Sequence, residues 1–97
     1  MSFVQILEFD TKKSGEIQSL MNEWRVEMSG KSMVRHEVVA RDRTLPDHYV
    51  AIMEFPSWED AQRTSKLAET GRFAAKMAEL CDGPVKFVDY DVIRDES

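Results

Sequence analysis

Apolar side chains fall on both faces of the strand-like segments of this chain, while only two regions carry the periodicity of helices. Along Phe3-Val4-Gln5-Ile6-Leu7-Glu8-Phe9, the residues Phe3, Leu7 and Phe9 point one way and Val4 and Ile6 the other. In His48 to Phe55, Tyr49, Ala51, Met53 and Phe55 oppose Val50 and Ile52. In Val85 to Ile93, Val85, Phe87 and Ile93 oppose Val88, Tyr90 and Val92. Two helices cover only one face of a sheet. A bare face of Val, Ile and Tyr exceeds the few hundred Å2 of contiguous apolar surface that soluble monomers usually tolerate. The economical solution is a homodimer in which the second sheet faces of two copies pack together.

The first segment, rich in β-branched and aromatic residues, is followed by the turn formers Asp10-Thr11-Lys12-Lys13-Ser14-Gly15 and reads as a strand. Ile17, Leu20, Met21, Trp24 and Met28 then make an amphipathic helical stripe. Ser14 is placed to cap it, Glu16 meets the helix dipole, and Ser29-Gly30-Lys31 ends it. Met33 to Asp42 and His48 to Phe55 read as strands joined by the hairpin loop Asp42-Arg43-Thr44-Leu45-Pro46-Asp47, which pairs them antiparallel. Ser57-Trp58-Glu59-Asp60 opens a second helix. Gly71 is expected to interrupt it, giving a bent or two-piece helix that continues through Phe73, Ala74, Met77, Ala78 and Cys81. Gly83-Pro84 closes this region before the last strand. The order β-α-β-β-α-β predicts an α+β, ferredoxin-like domain over residues 1–97: an antiparallel four-stranded sheet with both helices on one face.

At 97 residues the chain supports one core, so a large pocket must be shallow or shared with another chain. Thirteen Lys and Arg against 18 Asp and Glu give a net charge of −5, and no basic cluster stands out, which argues against nucleic acid or a membrane surface as partner. No apolar run approaches the roughly 18–20 residues that span a bilayer, and Met1-Ser2-Phe3-Val4-Gln5 lacks the pattern of a signal peptide, so a soluble cytoplasmic protein is expected. Cys81 is the only cysteine, which excludes an intrachain disulfide and a multi-cysteine metal site. Nucleotide-binding, P-loop, zinc-protease and nucleophile-elbow motifs are absent, and neither a cofactor nor a metal is indicated.

The first strand Val4 to Phe9, the run Tyr49-Val50-Ala51-Ile52-Met53-Glu54-Phe55-Pro56-Ser57-Trp58-Glu59-Asp60-Ala61 and the close Gly83-Pro84-Val85-Lys86-Phe87 resemble the dimeric α/β-barrel superfamily. More narrowly, they resemble its antibiotic-biosynthesis-monooxygenase-like branch. The resemblance covers nearly the whole chain and rests on structural motifs. It implies a homodimeric α/β barrel with activities ranging from cofactor-free oxygenation of polycyclic phenols to haem degradation, isomerisation and dechlorination. Haem-degrading members use an Asn on the first strand and a Trp and a His in the second helical region. By that similarity Gln5 falls at the Asn, Ser65 near the Trp and Lys76 near the His. A protonated Lys offers iron no lone pair, so haem degradation is not expected.

His36 and His48 are the only histidines, the side chains whose ordinary titration lies nearest neutrality. With the hairpin turning about Leu45, His36 faces a residue near Met53 or Glu54, far from His48. His36 reads either as a general base with Glu54 as neighbour or as an interface residue. A substrate pocket is expected between the sheet and the helices, walled by Trp24, Met28, Phe73, Met77 and Phe87, with Gln5, Arg35 and Asp89 as polar groups. The same apolar residues also suit an ordinary core, and Arg35 and Asp89 suit a charge pair on neighbouring strands. Trp58, Tyr90 and Cys81 read as structural. Two functions follow. One is a cofactor-independent monooxygenase whose apolar aromatic substrate itself reduces oxygen while Gln5, Arg35 or His36 orients or deprotonates it. The other is a non-catalytic ligand-binding or stress-related barrel.

Overall fold

The computed structural model describes residues 2–97. Seven elements follow one another: β1 (Phe3–Asp10), α1 (Ser14–Glu27), β2 (His36–Arg41), β3 (His48–Phe55), α2 (Trp58–Ser65), α3 (Ala68–Leu80) and β4 (Lys86–Asp91). The strands form one sheet in the order β2-β3-β1-β4, with every neighbouring pair antiparallel. This is the expected α+β, ferredoxin-like arrangement, with the second helix in two pieces.

Strand register separates the two faces. Phe3, Gln5, Leu7 and Phe9 of β1 stand opposite Phe55, Met53, Ala51 and Tyr49 of β3. All of these except Gln5 and Tyr49 are buried, under α1 and α3, which contribute Ile17, Leu20, Met21, Trp24, Phe73 and Met77 to the same core. Phe9 stacks on Tyr49 with ring centroids 5.8 Å apart. Burying one such large apolar side chain is worth about 1.5–3 kcal/mol. The other face carries Val4, Ile6, Val50, Ile52 and Val88, all half-buried, flanked by the exposed Val38 and Tyr90. The single chain leaves this face open.

Local chemistry differs from expectation at four places. Ser14 does not cap α1. The cap position is Lys13, and the buried Thr11 organises the turn instead: its hydroxyl accepts from the Lys13 amide at 2.9 Å and donates to the Leu80 carbonyl at 2.7 Å. That double role ties the start of α1 to the end of α3. Gly71 does not break the second helix. The break falls at Lys66–Leu67, where Leu67 is extended (φ −70°, ψ 142°) and packs its side chain on the core, while the amides of Thr70 and Gly71 start α3 on the Leu67 carbonyl. Strand β2 begins at His36 rather than Met33: the amides of Met33 and Val34 donate to the hydroxyls of Thr64 and Ser32 rather than to the sheet. Ile93 lies beyond β4 and is 93% exposed, so it is not a core-face residue.

Other local signals hold. Ser57 caps α2, its hydroxyl accepting from the Asp60 amide at 3.2 Å. Gly30 (φ 80°) follows α1 in a backbone conformation that side chains disfavour. Asp42 closes the hairpin by accepting from the amides of Thr44 and Leu45.

Candidate functional site

Trp24 stands in the last turns of α1, buried, with its ring tilted against Phe73 of α3 at 5.6 Å between centroids. Its indole Nε1 donates to the Thr70 hydroxyl at 3.4 Å. On one side of this indole lies a small apolar cavity of about 50 Å3, bounded by Gln5 and Leu7 of the sheet, Phe73 of α3 and Phe87 at its rim. Its polar lining consists of the Gln5 amide and the hydroxyls of Thr64, Ser65 and Thr70, with no titratable side chain among the described residues. The Gln5 amide is held by donating to the Asp89 carboxylate, its cross-strand neighbour, at 3.1 Å.

On the other side of Trp24 lies an open groove of about 430 Å3, between the C-terminal end of α1 and the start of β2. Met28 and Val34 continue its apolar wall, Arg25, Arg35 and Glu37 supply charge, and His36 borders it at the strand edge. Its volume lies within the roughly 300–1,000 Å3 of small-molecule sites, whereas the cavity has room for one or two waters at most.

The expected site residues therefore divide. Gln5, Phe73 and Phe87 line the cavity, Met28, Arg35 and His36 line the groove, and Trp24 belongs to both. Met77 lies in the core, in the wall of neither. His36 pairs with Glu54, as its distance from the hairpin indicates, and that row continues through Val4 to Tyr90 on the face away from the helices. Arg35 and Asp89 cannot be neighbours, because β2 and β4 are opposite edges of the sheet. The expected convergence of Gln5, Arg35 and Asp89 reduces to the Gln5–Asp89 pair.

Glu37 was not among the expected site residues. It faces the helix side of β2 opposite Met53, and its side chain is only 16% exposed. Burial pushes its carboxyl above the ordinary carboxylate range, and Arg25, 3.9 Å away, opposes this in part. The sequence signal is parity alone: Glu37 is one residue out of phase with His36 and Val38.

A second charged cluster sits at the far end of the open sheet face. His48 lies 2.9 Å from the Asp10 carboxylate and 3.4 Å from that of Glu8, and Lys86 approaches Glu8 at 3.8 Å. The hydrogen bond to Asp10 raises the His48 pKa above its ordinary value. Burial pushes the Cys81 thiol up, away from a reactive thiolate. Among the described residues, no group of three or more His, Cys, Asp or Glu is disposed to hold a metal, and no helix is long and apolar enough to cross a membrane.

No protein-family model and no curated protein sequence matches the chain. Solved structures match over almost its whole length. SnoaB, a cofactor-independent oxygenase from Streptomyces nogalater, superposes with a TM-score of 0.83 at 13% identity, covering 97% of this chain and 95% of its own. Rv0793 from Mycobacterium tuberculosis gives 0.80 at 12% identity with both chains fully covered. An antibiotic biosynthesis monooxygenase gives 0.74 at 16%, covering 97% of this chain and all of its own. This chain has the antibiotic-biosynthesis-monooxygenase-like fold. The resemblance read from β1, from the run Tyr49 to Ala61 and from Gly83 to Phe87 agrees with it. At these identities the likeness extends to the fold, and the chemistry of this chain has to be argued from its own side chains.

Proposed function

We propose that the protein is a homodimeric small-molecule enzyme that oxygenates a flat, electron-rich aromatic compound without a cofactor. The observation that carries the reading is the position of Trp24 as the common wall of a groove of ligand size and an apolar cavity. A polycyclic phenol laid in the groove against this indole would have its ring carbons on Trp24, Met28 and Val34 and its polar group toward the charged side chains there, Arg35 among them. In the simplest balanced case the phenol and one O2 give a quinone and one water. The substrate supplies the electrons, one oxygen atom enters the ring and the other leaves as water. His36, on the outer face, belongs to the interface rather than to proton transfer. The likeness to SnoaB supports this class of chemistry by analogy of fold. The second copy covers the outer face around Ile6, Ile52 and Tyr90.

A non-catalytic binding protein is the second reading, favoured by the absence of a titratable group from the described lining of the cavity. Oxygen uptake with a panel of polycyclic phenols, alongside fluorescence titration of a Trp58→Phe variant in which Trp24 is the sole indole, separates the two. Saturable quenching with oxygen uptake and quinone formation supports the oxygenase. Saturable quenching without uptake supports the binding protein, and no quenching by any phenol overturns both.

A further inference from the structure

We infer that Glu37 is the anchor of the groove, accepting a hydrogen bond from the hydroxyl of a phenolic ligand whose rings lie along Trp24, Met28 and Val34. This rests on the proposed small-molecule reading and names the group that recognises the ligand's polar end. Glu37 is placed by register on the helix side of the edge strand β2, opposite the buried Met53, so its carboxylate enters the groove from the sheet. Its side chain is largely withdrawn from water, yet among the described residues no donor hydrogen-bonds to it. The nearest cation, Arg25 Nη2, stands 3.9 Å away at the end of a side chain that is 72% exposed.

Among the described residues no buried side-chain oxygen lacks a hydrogen-bond partner, so the Glu37 oxygens keep contact with solvent at the groove, and a ligand hydroxyl donating to the carboxylate takes the place of that water with a charge-assisted hydrogen bond. The site is selective for donors. A phenol O–H satisfies the carboxylate, whereas an aryl ether and an ionised aryl carboxylate offer it no hydrogen. Arg25 and Arg35 at the groove disfavour an ammonium head group, so a neutral hydroxyl donor is the class that fits.

The test is the affinity of a naphthol and of its methyl ether for the Trp58→Phe protein and for the same protein carrying Glu37→Gln or Glu37→Leu, read by Trp24 fluorescence. The Glu37-containing protein is expected to prefer the naphthol by roughly tenfold or more, as for hydrogen bonds to a charged acceptor. Glu37→Gln reduces the preference and Glu37→Leu abolishes it, with the ether's affinity little changed. An unchanged preference in Glu37→Leu overturns the role of Glu37 while leaving the small-molecule reading intact. Failure of both compounds to bind any of the proteins removes that reading, and the anchor with it. Far-ultraviolet circular dichroism of both variants establishes that a lost preference is not lost folding.

Discussion

Trp24 of α1 and Thr70 of α3 are joined by a hydrogen bond of 3.4 Å from indole to hydroxyl, which crosses the helix pair at the residue common to the groove and the cavity. Most of what holds Trp24 is the burial of its rings rather than this long bond. Thr70→Val is therefore expected to cost no more than about 1 kcal/mol, and Trp24→Ala about 3–5 kcal/mol, in urea unfolding. Equal costs for the two variants would show that the hydrogen bond, not packing, fixes the indole.

Leu7 of β1 is 1% exposed and lies between Ala51 of β3 and Phe87 of β4 in the register of the sheet. The rigid strands on both sides limit collapse around a smaller side chain. Leu7→Ala is expected to lose about 2–5 kcal/mol, with the value at the upper end if the space stays empty. Chemical denaturation monitored by circular dichroism measures the loss.

Ile52 of β3 stands between Ile6 and Val38 at the centre of the open sheet face. A charge there would be buried without a partner in a face-to-face dimer and solvated in a monomer. Sedimentation velocity should give a dimer for the natural protein and a monomer of unchanged secondary structure for Ile52→Glu. A monomeric natural protein would refute the interface.

His48 has its pKa raised, first by its hydrogen bond to Asp10. A raised folded-state pKa means that the protonated form favours the folded state. The contribution is complete below the unfolded pKa and is lost as pH rises through the folded one. Tm should therefore decline as pH rises above the ordinary histidine pKa of about 6.5 in the natural protein, and decline less in His48→Gln. Thermal scans across that range, or an NMR titration of the imidazole, check the sign.

Ser57 caps α2 by accepting from the Asp60 amide, while the Asp60 carboxylate pairs with Arg63. Ser57→Ala should cost about 1 kcal/mol. The same thermal scan detects it, and no change at all would mean that Asp60 compensates.

The sequence by itself determined the strands, their two apolar faces, the helical stripe from Ile17 to Met28 and the placing of His36 opposite the Met53–Glu54 end of the facing strand, with the structure selecting Glu54. Each is a matter of local periodicity or of counting back from a short loop. It did not determine where the second helix breaks. Gly71 is locally the weakest helix former, but the chain turns at Lys66–Leu67, where an extended residue brings Leu67 onto the core. Nor did it reveal that β2 and β4 occupy opposite edges, which separates Arg35 from Asp89 although both look like members of one polar cluster. Glu37 is the clearest case. Its parity on β2 was legible, but whether that side of an edge strand meets water or a helix depends on how α1 crosses the sheet. Folding brings Glu37 beside Arg25 of α1 and onto the groove that Trp24 also walls, leaving its side chain 16% exposed, because burial is a property of two surfaces that lie far apart in the chain until it folds.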